Sequence, residues 1–359
     1  MPFLGAFENL LAFLLVLTPV VFFHELGHYW VARRAGVVVD VFSVGFGPEL
    51  FGWTDRAGTR WKFSAIPLGG YVKMRGDEDA ASTTSQGAKH MPGSFAGASL
   101  PRRMAIVAAG PIANFILGIL LFAGVYMAVG KAFVPATVAE ALPDSPAAEA
   151  GLLPGDQILS INGRTIRHFG DMRAIIFESP GRSLAFEIRR DGDISIFDIT
   201  PESIYSEQLG LNIGRLGVRS MPGEFRQLGL FESTQHAVSD SIHMTGMMLH
   251  GLGRLVSGNA QSGEVGGPVR IAEFSGDAAR QGIVSLVIFV ALISINLGLV
   301  NLLPVPALDG GHLTFFAIEG IMGRPVPEAV QGILMRVGIA FLMSLMVLVT
   351  LFDILRLAF

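Results

Sequence analysis

Four long apolar stretches interrupt an otherwise mixed chain of 359 residues. They run from roughly 7 to 30, 104 to 129, 283 to 303 and 332 to 355. Each approaches or exceeds the ~20 residues that a helix needs to cross ~30 Å of hydrocarbon. The pattern predicts four transmembrane helices. Between the first two, "VDVFSVGFGPELFGWTDRAGTRWKFSAIPLGGYVKM" alternates apolar and polar positions with glycines at the breaks, which predicts two to four short strands. Residues 76–100 are rich in Gly, Ser and Ala and read as a mobile loop. Residues 133–220 have the turn density of a small α/β domain. "SPAAEAGLLPGDQILSINGRTI" gives a short helix, a turn, a strand, an Asn-Gly turn and a return strand. "FGDMRAIIFES" gives a helix, and "LAFEIRRDGDISIFDIT" a hairpin about an Asp-Gly turn. Residues 221–281 read as an amphipathic helical linker.

Composition sharpens the class. Apolar residues make up 51% and charged residues 16%, against about a quarter charged in soluble proteins. The mean hydropathy is +0.53. The net charge of −4 gives no reason to expect nucleic acid as a partner. There is no cysteine, which removes disulfides and thiolate metal sites and leaves His, Asp and Glu as possible ligands.

The first apolar run lacks a basic leader and carries Glu8, so it is expected to stay as a span rather than to be cleaved. Arg33 and Arg34 follow it, and 33–103 holds ten Lys/Arg. The positive-inside rule then predicts an outer N-terminus, an inner 36–103, an outer 133–262 and an outer C-terminus.

The first span ends in "HELGH". His24 and His28, four apart, share one helix face and can converge on one cation, while Glu25 can reach a water bound to it. Ionisable groups at a helix centre cost ~2.5–3.5 kcal/mol each, so three together imply a purpose. A zinc hydrolase needs a third protein ligand and an open position for water. Asp309, in "INLGLVNLLPVPALDGGH", is the candidate, just past a membrane-length helix and a Pro304-x-Pro306 break. His312 is either a rival ligand or a residue that orients Asp309. Asn296 and Asn301 in the third span either bridge helices or bind substrate backbone or an oxyanion. Asn114 reads as a helix-packing residue, with Gly110 and Gly118 flanking it at fours. His236, His243 and His250 recur at sevens on one helix face and read as a solvated or headgroup-facing stripe in preference to a second metal site.

Taken together, "HELGH", "SVGFGPEL", "PLGGYVKM", "AAGPIANFILG", "GGPVRIA" and "NLLPVPALDGG", in this order from about 20 to 315, resemble the site-2 protease family of intramembrane zinc metalloproteases, and within it the bacterial regulator-of-sigma-E protease branch. The resemblance implies a multi-span α-helical membrane protein of about four transmembrane helices. It adds a membrane-associated, re-entrant β-rich inner loop and an extracytoplasmic PDZ-like α/β domain. The parts would be 1–35 (first span with the zinc motif), 36–103 (β-rich loop), 104–130 (second span), 133–220 (PDZ-like domain), 221–281 (linker) and 282–359 (third and fourth spans). Many relatives carry two tandem PDZ-like domains, whereas 133–220 has room for one.

By resemblance, Zn2+ would be held by His24, His28 and Asp309, with Glu25 the catalytic carboxylate. Gly45, Phe46 and Gly47 would offer a strand edge to an unwound substrate, and Asn296, Asn301, Pro304 and Pro306 would also contact it. The PDZ-like domain would either bind a peptide C-terminus or filter substrates by size. The implied activity is hydrolysis of transmembrane segments in the bacterial inner membrane. Implied substrates are single-span proteins already trimmed outside, such as anti-sigma factors, and remnant signal peptides. Two rivals are a membrane-anchored zinc peptidase acting on soluble segments and a non-catalytic PDZ-bearing receptor. Glu25 discriminates the latter, since a pure binding site has no use for a carboxylate beside the water.

Overall fold

The computed structural model describes residues 2–76, 91–206, 211–257 and 267–358; most of the Gly/Ser-rich loop expected at 76–100 lies outside them. The chain divides into two compact units, one of 1–125, 231–248 and 265–359, the other of 126–230 and 249–264.

The first unit opens with helix α1 (Pro2–Arg34), followed by strands β1 (Val39–Thr54) and β2 (Arg60–Met74) and helix α2 (Leu100–Ala128). The expected two to four short strands are two long ones, each used twice. Val41–Val44 pairs with Arg60–Phe63 on one side and with Gly70–Lys73 on the other, while Phe51–Thr54 pairs with Arg60–Phe63. The paired segments therefore lie in the order 51–54, 60–63, 41–44, 70–74. Glycine makes the doubling back possible. A Cβ on Gly45, whose φ is +89°, would sit 2.6 Å from the carbonyl oxygen of Ile66 as the chain crosses it. The sheet packs on α1 through Phe42, which stacks on Trp61 at 4.2 Å and meets Phe22 and Tyr29 edge-on. Its distal half leaves Leu50, Phe51 and Trp53 exposed.

The second unit holds β3 (Lys131–Phe133), β4 (Val138–Ala141), α3 (Pro146–Glu149), β5 (Gln157–Ile161), β6 (Arg164–Thr165), α4 (Phe169–Phe177), β7 (Leu184–Arg190), β8 (Asp193–Ile199), β9 (Glu202–Ser206), β10 (Leu211–Arg215), β11 (Val218–Ser220) and β12 (Glu224–Arg226). Ser145 caps α3, and Asp191 and Gly192, both at positive φ, turn β7 into β8. A four-stranded sheet in the order β6-β5-β7-β8 covers a core of Ile158, Ile161, Met172, Ile176, Phe186 and Ile188. Asp156 is buried and takes 2.7 Å hydrogen bonds from Arg190 Nε and Nη2 and a 2.8 Å one from the Leu153 N–H. Burial pushes its carboxyl up, yet these donors hold it below the usual carboxylate range.

Helix α5 (Leu230–Val256) follows, with His243 and His250 exposed. Back in the first unit, α6 (Pro268–Arg280), α7 (Ile283–Leu302), α8 (Asp309–Met322) and α9 (Glu328–Ala358) complete the chain. α6 brings Ser275, Gly276 and Ala278 against α1, where Arg280 donates to Asn9. Its first turn is capped from a distance, since the Arg270 N–H donates to the Asp353 carboxylate of α9 at 3.2 Å. That accounts for a buried acid in an apolar helix. Among the described residues four helices are long and apolar enough to cross a membrane: Gly5–Arg34, Leu100–Ala128, Ile283–Leu302 and Ala329–Leu351.

Candidate metal centre

Helical spacing stacks His24 and His28 on one side of α1, with ring centroids 4.8 Å apart. Asp309 comes from the other end of the chain. Helix α7 stops at Leu303, where Pro304 cannot continue it. The chain then turns through Ala307, a non-glycine residue at φ +83°, into Leu308, the cap of α8. Asp309 is the first residue of α8, where helix N–H groups favour a carboxylate. The turn is braced by α9: the Ala307 N–H donates to Met335 Sδ at 3.2 Å. A bidentate ion pair from Arg103 of α2 to Glu319, the closer contact at 2.6 Å, fixes the far end of α8.

The three side chains meet. His24 Nε2 and His28 Nε2 are 3.3 Å apart, and Asp309 Oδ2 lies 3.2 Å from the first and 3.4 Å from the second. Tetrahedral zinc with bonds of ~2.0–2.1 Å separates its ligand atoms by about 3.3 Å. Asp309 Oδ2 is buried and accepts no well-aligned hydrogen bond. A buried carboxylate oxygen left this way is costly unless a cation completes it. The donor set, its spacing and the orphaned oxygen all fit zinc. Among the described residues, this is the one group of three or more such side chains close enough to share a metal ion.

Helix α2 supports the histidines from behind. His28 Nδ1 donates to the Ile106 carbonyl at 2.8 Å, which leaves Nε2 its lone pair. Gly110 lies against both rings, and a Cβ there would overlap His28 Nε2. Asn114, expected to pack helices, does more than that. It is fully buried, with its side-chain nitrogen 3.2 Å from His24 Nδ1, and its backbone carbonyl accepts from Ser294 Oγ of α7 at 2.8 Å.

A cavity of about 250 Å³ opens on the three donors, lined also by Glu25, Asn301 and His312. Val72 lines the cavity together with Glu25. His312 therefore faces the cavity without joining the trio. Asn296 is exposed and absent from the lining. Pro304 is exposed, and Pro306 packs under α9, where a Cβ on Gly338 would meet it.

Gly45, Phe46 and Gly47 form the crossover of the sheet and do not line the cavity; Gly70, Tyr71, Val72 and Met74 do. Segment 70–74 pairs with 39–44 as the last of the four paired segments of the sheet. Gly70 lets it approach α1, since a Cβ there would lie 3.2 Å from Glu25 Cγ and 2.7 Å from the Ser43 carbonyl oxygen. In the sequence, "PLGGYVKM" gave no sign that it lines the cavity, because the segment's place depends on the doubled pairing.

The chain is similar to known zinc metalloproteases along most of its length. The description of peptidase family M50 matches residues 12–345. A candidate zinc metalloprotease of Rhizobium meliloti is 44% identical over 355 residues, 95% of each chain. A second, from Agrobacterium fabrum, is 43% identical over 357 residues, covering 95% of this chain and 94% of its own. Metalloprotease MmpA of Caulobacter vibrioides is 35% identical over 376 residues, covering 96% and 94%. Among solved structures, the PDZ domain of an SdrC-like protein from Listeria monocytogenes covers 25% of this chain and 90% of its own, at 20% identity and a TM-score of 0.22.

Proposed function

The chain belongs to peptidase family M50, and from that premise we propose that it is a bacterial zinc endopeptidase that hydrolyses peptide bonds within membrane-spanning segments. The observation that carries this reading is the triangle of His24, His28 and Asp309, with the histidines on one helix of membrane-spanning length and the carboxylate just past the end of another.

Zinc held there would polarise a substrate carbonyl and make a water acidic enough to attack near neutral pH. Glu25 faces the same cavity, and its carboxylate would take the proton of the attacking water and return it to the leaving amine. The Asn301 amide, also in the lining, would donate to the oxygen that gains charge. Asn296 and the Pro304–Pro306 break would act indirectly, through the path of the chain. A helical peptide bond keeps its carbonyl hydrogen-bonded, so the substrate must be extended before attack. The segment Gly70–Val72, which lines the cavity with Glu25, would accept an extended substrate as a further strand. This segment replaces Gly45–Phe46–Gly47 as the proposed grip.

The same reading places the protein in the bacterial inner membrane with both termini and 133–262 outside, 133–220 acting as a PDZ-like domain. Substrates would be single-span proteins already trimmed outside, including anti-sigma factors and remnant signal peptides. The test is zinc content together with cleavage of a synthetic transmembrane peptide. Glu25→Gln should keep its zinc and lose turnover by about 10²–10⁴-fold; Asp309→Asn should lose both. An Asp309→Asn protein with full zinc and full turnover refutes the ligand set. A Glu25→Gln protein with normal turnover refutes the catalytic role.

A further inference from the structure

His312 lines the metal cavity, yet neither of its ring nitrogens has a hydrogen-bond partner among the described residues. It stands three residues after Asp309, so both project from one face of α8, about one turn apart. The fold leaves that turn little freedom. A Cβ on Gly310 would overlap the Leu303 carbonyl oxygen, and one on Gly311 would lie 2.5 Å from that of Val305. Backbone therefore packs directly on backbone where α8 begins. The same face continues through Phe316 to Glu319, and the bidentate pair with Arg103 holds α8 against rotation about its axis. Asp309 and His312 are thus presented as one rigid unit.

The side of the cavity on which His312 lies decides what it can reach. Asp309 and His28 act electrostatically on its ring, and Glu25 does not. Glu25 sits against the sheet instead, where a Cβ on Gly70 would lie 3.2 Å from its Cγ. The trio of His24, His28 and Asp309 therefore separates Glu25 from His312. Water that loses its proton to Glu25 adds to one face of a peptide carbonyl, and the carbonyl oxygen bends toward the other. We propose that His312 is a further catalytic residue, whose ring N–H donates a hydrogen bond to that oxygen as it gains charge. A neutral imidazole carries one N–H and fills this role without changing its protonation. The lack of a partner within the protein suits the role, because a donor already engaged would first have to break a bond. Asn301, near the end of α7, is the second donor to the same oxygen. The inference rests on the reading of the trio as the metal centre of an endopeptidase.

The test measures zinc content, turnover of a synthetic transmembrane peptide and binding of two probes, for full-length His312→Gln and His312→Leu. One probe is the peptide itself, bound by variants that also carry Glu25→Gln so that it stays intact. The other is its phosphinic analogue, which places a charged tetrahedral group at the scissile bond. His312→Leu should keep its zinc, bind the peptide within about threefold of the parent protein and lose kcat by about 10²–10³-fold. It should also bind the phosphinic analogue about 10²-fold more weakly. His312→Gln, whose amide N–H reaches a similar position, should lose no more than about tenfold in kcat. Unchanged kcat in His312→Leu, loss of its zinc, or a loss confined to KM and peptide affinity overturns the proposal. Equal falls in kcat for Gln and Leu, as a packing role predicts, overturn it as well. A parent protein that holds zinc yet leaves the peptide intact refutes the endopeptidase reading, and this inference with it.

Discussion

Gly110→Ala should damage the metal centre without touching any ligand. The added Cβ would lie 2.6 Å from His28 Cε1 and 2.9 Å from His24 Cε1, and would overlap His28 Nε2. Non-bonded carbons prefer about 3.5–4.0 Å, so relief needs ring displacements of roughly 0.5–1 Å. Metal sites accept ligand distances within about 0.2 Å of ideal, so such a displacement cannot be absorbed. Overpacking of this kind costs about 1–3 kcal/mol. Expressed wholly at the ligands, that weakens zinc roughly 5- to 150-fold. Chelator competition on purified protein reads the affinity, and thermal unfolding without metal reads the fold. Gly118→Ala is the control. Its Cβ would meet Ile295 Cγ1 at 2.6 Å, on the same helix and two turns along, so it should lower stability and spare zinc. If Gly110→Ala binds zinc like the parent protein and turns over normally, the close support of the rings by α2 is wrong.

Three further outcomes follow from geometry outside the triad. Ala307→Gly should retain zinc and shift stability by no more than about 1 kcal/mol, because glycine accepts φ +83° while loosening the unfolded chain; Ala307→Val should cost about 1–3 kcal/mol and release zinc, and a tolerated Val would show that the turn is not strained. The depressed Asp156 carboxyl contributes stability that is present above its unfolded pKa of about 3.9 and is lost as pH falls through the folded value. Hydrogen exchange in β5 and β7 should therefore accelerate below about pH 4, and Asp156→Asn should flatten that rise; an unchanged slope would refute the assignment. In intact cells an impermeant thiol reagent should label Ser183→Cys and spare Ser82→Cys, and the reverse would overturn the proposed topology.

The parts of the site that sequence made legible are those written in local spacing. The four-residue step from His24 to His28 is a helix-face statement, and the apolar runs are length statements. Asp309 stood out because a proline break and an acid beside a membrane-length helix are locally anomalous. The support of those ligands was not legible, because it is made at a distance. Asn114 reaches His24 across 90 positions, and flanking glycines gave it an adequate packing explanation. Asp353 caps a helix 83 positions away, and nothing near it in the chain hints at that. The strand segment that lines the cavity was hidden for a related reason. Glycines mark where backbone passes backbone, and "GFG" marks the crossing itself, while the segment at the cavity is found only from the pairing.

That doubled sheet also limits how its genes can vary. Residues 41–44 are paired on both sides, to 60–63 and to 70–73, so neither neighbour can slip by one position without breaking a ladder and turning its side chains to the other face. The link 64–69 must leave one side of 41–44 and arrive on the other, about two strand spacings or ~10 Å away. A residue gained or lost in that link cannot be absorbed by a change of register, and it would carry Val72 away from Glu25. The apical turn at Arg56–Gly58 carries no such obligation, and a Cβ on Gly58 would meet nothing within 4 Å. Insertions, epitope tags or a fluorescent reporter belong there, and a family tree of such sheets should accumulate length differences at the tip and almost none in the link.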